Sequence, residues 1–391
     1  KRFGILVFQR FHVCHWELAK IVFRHYSARN LSVYQNTCIR LVNMSSPLTR
    51  QIQSAVRARG VETVKIGGFR HVRPAPLSKV QVDPRVGEAI GRFRGTLGVL
   101  NEEVEKYHHS SEERDLRLMA EGFTVLLDKP QVACDFEVFY DLFLQVCLEM
   151  NDEPYDPGPC TPVDLCNQVQ PSSSCGNMPL NSLFGACVGT KKEMHNGAVA
   201  VNVAAVAWGG VPGLLPYKPV SKDEVIKKGK KVRTIMIESQ PNVMVLKHYF
   251  GQQVSDEKRV PRGRAIGLST VGGAFKTILM RWFSIWVRHC PGGWNEFLSW
   301  LDGQPFSESD KTAWESSTNE SDGLAYVLGL LMQTTVPAGD DMLLARALAD
   351  YISPAVQIDG DVVYFAPWRV PSGSYLTAHG NTERHWLMAK W

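Results

Sequence analysis

The 391-residue sequence predicts an α+β fold. Three observations carry that expectation. Several segments read as helices, two short β-rich runs flank an Asp-Gly pair, and an irregular stretch dense in Pro, Gly, Ser and Asn interrupts the chain.

The composition, 44% hydrophobic and 21% charged, is ordinary for a globular chain, and the length suggests two or three structural units. A formal net charge of +4 excludes a strongly basic coat but allows a basic channel inside a near-neutral protein. Lys1 is not an initiator Met and no signal peptide follows it, so the start is expected to be internal to a longer chain. The nine cysteines include no C-x-x-C pair, which points to reduced thiols in an intracellular protein. His12, Cys14 and His15 lack a partner pair at zinc-ligand spacing, and a partly buried helix face is the expected reading.

Along the chain, residues 1–45 alternate aromatic-rich and basic pieces without forming a known unit. Ser110 to Glu149 has a mostly helical pattern whose Ser-Ser-Glu-Glu opening suits a helix N-terminus. Asn151–Pro179 must be irregular and marks a boundary or a long functional loop. Ala198–Leu215 is apolar but interrupted by Asn202, Gly209, Gly210 and Pro212, so a glycine-rich loop or buried strand is expected rather than a membrane span. Phe275–Cys290 reads as an amphipathic helix stopped by Pro291-Gly292-Gly293. Further helices are expected over Gly323–Thr334 and Asp340–Ile352, and two strands around Asp359-Gly360.

Four constellations carry potential chemistry. In "FSESDKTAWESS", Asp310 precedes Glu315 by five residues. At a strand end, the first carboxylate can face a divalent cation while the second faces a sugar; on its own, an acidic helix-capping loop explains the motif better. In "SKDEVIKKGKKVRTIMI", Lys222 and Glu224 precede a run of Lys and then Arg233, which sits inside the apolar strand "VRTIMI". Cations so placed suit a triphosphate, although most such runs are solvated turns. The small residues Ser172–Gly176 would let a backbone pass close to a nucleic-acid strand, or serve only as a linker. In "VPSGSYLTAHGNT", Ser372-Gly373 permits an adjustable backbone, while Thr377 and Asn381 share one helix face. A hydroxyl and an amide on one face can read a ribose 2′-hydroxyl, or can simply repeat along a polar helix face.

Taken in order, "PSSSCGNMP…GTKKE", "KDEVIKKGKKVRTI", "DKTAWESS" and "SGSYLTAHGNT" resemble motifs G, F, A and B of the RNA-dependent RNA polymerases of positive-strand RNA viruses. The resemblance covers about Pro171 to the C-terminus. It implies a right-hand architecture, with residues 1–130 an N-terminal region of unknown role, 131–300 fingers and 301–391 a partial palm. Asp310 would be the catalytic residue, ligating Mg2+ or Mn2+. Glu315, Thr377 and Asn381 would select ribose. Glu315 stands where the family usually has Asp, a departure that keeps the charge and adds a methylene. Ser372 and Gly373 would form the loop that moves with template and nascent pair. Lys222, Lys231 and Arg233 would bind triphosphate, and Ser174 and Gly176 would line template entry.

The implied partners are an RNA template, nascent RNA, ribonucleoside triphosphates and other viral replication proteins, in a replication complex in the host cytoplasm. The family's second acidic motif, usually Gly-Asp-Asp after motif B, does not appear before Trp391. Gly339–Asp341 lies between motifs A and B and is expected to cap a helix. The chain is therefore expected to be a fragment without a thumb, inactive alone. Two rivals remain: a non-catalytic RNA-binding scaffold, and a reverse transcriptase or another nucleotidyl transferase with a similar palm. Asn381 argues against the second, since a deoxynucleotide enzyme would favour a bulky block.

Overall fold

The computed structural model describes residues 47–58, 62–68, 106–109, 155–158, 161–169, 174–176, 197–208, 216–222, 224–259, 274–305, 314–318, 320–352, 354–358, 361–366 and 370–390, with a few positions between 85 and 142. His12, Cys14, His15 and Asp310 lie outside these residues, as does most of the helical pattern expected over 110–149. The described elements mix helix and sheet, as the α+β expectation requires.

A three-stranded antiparallel sheet combines β1 (Glu62–Gly68), β6 (Ala355–Ile358) and β7 (Asp361–Ala366), with β7 in the middle. Ile358 stands opposite Asp361, the register of a tight hairpin. The N-terminal region, which has no role in the sequence reading, supplies β1 through pairs such as Thr63 with Phe365. It also supplies helix α1 (Pro47–Arg57), whose Ile52 and Val56 share a buried cluster with Val356, Ile358 and Val363. These are an i, i+4 pair on one face, which is why α1 can cover the sheet. The Thr49 hydroxyl donates to the Ile358 carbonyl at 3.2 Å and fixes that placement.

Strands β3 (Lys218–Ser221) and β5 (Thr234–Ile237) form an antiparallel pair. Between them, β4 (Val225–Lys227) pairs with β2 (Tyr107–His109). Tyr217 ties this unit to the main sheet: its N–H donates to Ala355 at 2.8 Å and its carbonyl accepts from Gln357 at 3.0 Å.

The larger core gathers helices α2 (Pro162–Asn167), α3 (Gly197–Trp208), α4 (Gln240–Arg259), α8 (Glu320–Met332) and α9 (Asp341–Ile352). Helix α3 corrects the expectation of a loop or strand over Ala198–Leu215. Being apolar almost all round, the segment offers no period to read. Its twelve helical residues exceed an ordinary strand, and Gly209-Gly210 follow its end instead of interrupting it. Ala200, Val203 and Ala207 form its buried stripe. The other helices fall close to expectation: α5 (Ala274–Trp286), α8 and α9. A short helix α6 (Trp294–Asp302) packs on α5 through Phe283, which lies 5.2 Å from Trp294 and 5.5 Å from Phe297, ring centre to ring centre.

Gly339–Asp341 stands at a helix start. The Leu344 N–H donates to the Asp340 carbonyl at 3.0 Å, and the Tyr249 hydroxyl donates to the Asp340 carboxylate at 2.6 Å. The carboxylate of Asp340 is thus engaged by α4.

Candidate functional site

The β3–β5 pair positions the cationic segment. Lys222 extends the ladder, its N–H donating to the Arg233 carbonyl at 2.8 Å. Residues 222–233 therefore form one excursion whose ends are adjacent, with Lys227, Lys228, Lys230 and Lys231 exposed. Arg233 precedes β5 instead of lying inside it, and its side chain is 60% exposed, which corrects the reading of a cation within an apolar strand.

Glu224 organises this loop. Its carboxylate accepts from Arg233 Nε at 2.6 Å and from Arg233 Nη2, and it pairs with Lys222 Nζ at 3.3 Å. The two-pronged contact matches guanidinium to carboxylate geometry. Hydrogen bonding to Arg233 holds the Glu224 carboxyl below its ordinary range, and the same contact raises Arg233. Glu315 raises Arg233 further, as the smallest of these influences.

Glu315 lies in the short helix α7 (Trp314–Ser317), half-buried. The Thr318 hydroxyl donates to the Glu315 carbonyl at 2.9 Å and accepts from the Val370 N–H at 3.2 Å. One threonine thus joins α7 to the entry of the Ser-Gly loop.

That loop is held tightly. The Met236 N–H of β5 donates to the Ser372 carbonyl at 2.6 Å. Gly373 has φ +112°, and a Cβ there would lie 2.5 Å from the Met236 carbonyl oxygen, so both backbone sign and space require glycine. The Thr377 hydroxyl donates to the Pro371 carbonyl at 2.6 Å, so it braces the loop. Helix α10 (Thr377–Lys390) starts there, four residues beyond Gly373, and carries Asn381 one turn further. Asn381 Nδ2 donates to Glu315 Oε1 at 3.3 Å, and Asn381 Oδ1 accepts from Arg384 Nη2 at 2.6 Å.

The fold therefore brings Glu315 to Asn381, and the Ser372-Gly373 loop to β5, from segments far apart in the chain. Gly176, bonded to Ser174, lies against Glu238 and Ser239, just past the end of β5. The Ser174 hydroxyl accepts from the Gly176 N–H at 3.1 Å, and Cys175 accepts from the Gln240 N–H at 3.0 Å. Gly176 has φ +70°, and a Cβ there would sit 2.5 Å from the Glu238 carbonyl oxygen. Its glycine is explained by contact with its own chain.

Sequence reasoning missed Glu238. Its buried carboxylate accepts from Tyr217 Oη at 3.1 Å, Asn242 Nδ2, Ser374 Oγ at 3.0 Å and the Tyr375 N–H at 2.8 Å. Burial raises its carboxyl above the ordinary range even though all four donors pull the other way. A signal was present: Thr234 and Met236 are buried at strand period two, which sets Glu238 on the same inward side. Arg384 was missed as well. It is buried on α10, where its Nε donates to the Gly380 carbonyl at 2.9 Å.

Among the described residues no group of three or more His, Cys, Asp or Glu side chains gathers as a metal centre would, and Asp310 is not among them. No described helix is long and apolar enough to cross a membrane. Comparison with protein-family models and with curated proteins finds no match to the chain.

Proposed function

We propose that the chain forms fingers and part of the palm of an RNA-directed RNA polymerase, resembling those of positive-strand RNA viruses, which joins ribonucleoside triphosphates on an RNA template. The observation that carries this reading is the 3.3 Å contact between Asn381 and Glu315. An acid and an amide from two separate motifs meet there, as recognition of a sugar hydroxyl needs. A scaffold that merely coats RNA requires no such convergence.

In this reading Arg233, steadied by Glu224, and the exposed Lys231 receive the triphosphate, where charge neutralisation matters most. Lys222 holds Glu224 from the other side. Glu315 and Asn381 meet the ribose 2′-hydroxyl, and Thr377 keeps the Ser372-Gly373 loop in place beside them. Magnesium at Asp310 would supply charge neutralisation at the phosphate under attack. The four-donor cradle of Glu238 keeps the Ser-Gly loop and β5 in fixed relation.

Equilibrium titration of the chain with GTP and Mg2+ tests the site. Saturable binding is expected, weakened about tenfold or more by Arg233→Met, since a charge-assisted contact is worth about 1.5–3 kcal/mol. Unchanged affinity in a folded Arg233→Met chain would contradict the assignment.

A further inference from the structure

We infer that Arg384 is a positioning residue that fixes the Asn381 amide with its N–H toward Glu315, so that the pair reads a 2′-hydroxyl as acceptor and donor at once. The inference rests on the proposed ribose-facing role of Asn381 and Glu315.

Positions 381 and 384 are three apart on α10 and so lie on one face. Arg384 is only 1% exposed, a burial that arginine tolerates when its donors are engaged. Nε donates to the Gly380 carbonyl at 2.9 Å and Nη2 to Asn381 Oδ1 at 2.6 Å. Nη1 meets no hydrogen-bond partner among the described residues. A guanidinium has donors only, so the end of the amide that faces it must be the oxygen. An ionised carboxylate accepts only, so the end that faces Glu315 must be the nitrogen. The two contacts demand the same orientation, and the shorter, charge-assisted one dominates.

The consequence is chemical. Nδ2 and Oε1 stand side by side as a donor and an acceptor, the complement of one hydroxyl. A 2′-OH entering between them accepts from Asn381 and donates to Glu315. Glu315 then shares its acceptor with the sugar and pulls less on the amide, so retention of the orientation falls to Arg384. A 2′-deoxy sugar offers neither partner. A 2′-fluoro sugar offers an acceptor alone, and only an amide held with its N–H outward rewards it.

The test is equilibrium binding of GTP, 2′-fluoro-2′-deoxy-GTP and 2′-deoxy-GTP, with Mg2+, to the unsubstituted chain and to Arg384→Gln. In the unsubstituted chain GTP should bind about tenfold or more tighter than the deoxy form, as for a site built to pair a hydroxyl, with the fluoro analogue between them. In Arg384→Gln, whose amide both donates and accepts, the fluoro advantage should vanish and the GTP preference shrink. Arg384→Lys, which keeps a donor-only group, should preserve both. A fluoro analogue no better than deoxy, beside a clear GTP preference, overturns the role of Arg384 while leaving ribose selection standing. So does an unaltered preference in folded Arg384→Gln. Equal binding of all three nucleotides to the unsubstituted chain sinks the ribose reading itself. The wild-type arm decides the matter even if Arg384→Gln does not fold.

Discussion

The Glu238 carboxylate accepts the Ser374 hydroxyl at 3.0 Å, linking the end of β5 to the Ser-Gly loop across 136 residues of sequence. Three more donors converge on the same carboxylate, so one side chain holds the residue that leads into β3, α4 and the loop in fixed relation. Glu238→Leu leaves those donors buried without an acceptor and should cost about 3–5 kcal/mol, as breaking a buried charged network does. Glu238→Gln keeps an acceptor oxygen and should cost about half as much. Urea unfolding of the two variants checks the order; equal midpoints for Leu and wild type would contradict the network.

Two glycines with positive φ should respond differently to alanine. At Gly373 a Cβ would press to 2.5 Å from the Met236 carbonyl, whereas at Gly229 it meets open space. Gly229→Ala should cost about 1 kcal/mol, the strain of left-handed backbone alone. Gly373→Ala must also shift the backbone that binds Ser372 and should cost at least about 2 kcal/mol. Thermal unfolding of both variants tests the contrast.

The Glu224–Arg233 pair predicts a pH effect of defined sign. Arg233 lowers the Glu224 carboxyl below its ordinary value of 4.5 in the folded chain. The folded state therefore holds fewer protons than the unfolded state near that pH. The pair's contribution is present above pH 4.5 and is lost as pH falls through the lowered folded value. Arg233→Met should remove this acid slope. The effect should be small and should shrink in added salt, because the Arg233 side chain is 60% exposed.

An alkaline limb should come from tyrosines raised by burial: Tyr217 and Tyr351 inside the core, and the partly buried Tyr375. Burial pushes Tyr351 and Tyr375 up to about 12, from an ordinary value of 10. Between these values the unfolded chain ionises first, so stability should fall as pH rises from 10 toward 12. Absorbance at about 295 nm should show these phenols titrating late. Tyr351→Phe should weaken the limb and cost little at neutral pH, since the Tyr351 hydroxyl has no hydrogen-bond partner among the described residues.

The sequence made some of this site legible and hid the rest for physical reasons. Thr377 and Asn381 were readable because helical spacing puts positions four apart on one face, and α10 carries them so. The helices α5, α8 and α9 were readable from period and punctuation. Helix α3 was not, because a segment apolar on most faces carries no period. Glu238 and Arg384 escaped because their partners are supplied by tertiary contact: a lone Glu after a strand and a lone Arg in a polar helix look like surface residues. The role of β1 was equally hidden, since its partner β7 lies at the far end of the chain.

The most direct test of the central claim is RNA-templated incorporation of a labelled ribonucleotide, with Mg2+ or Mn2+, by the natural protein that carries this sequence, against its Asp310→Asn variant. Incorporation that follows the template, rejects the 2′-deoxy nucleotide and is lost in a folded Asp310→Asn variant is the result predicted. Incorporation by Asp310→Asn at near-normal rate, or none by the unsubstituted protein, would contradict the polymerase reading.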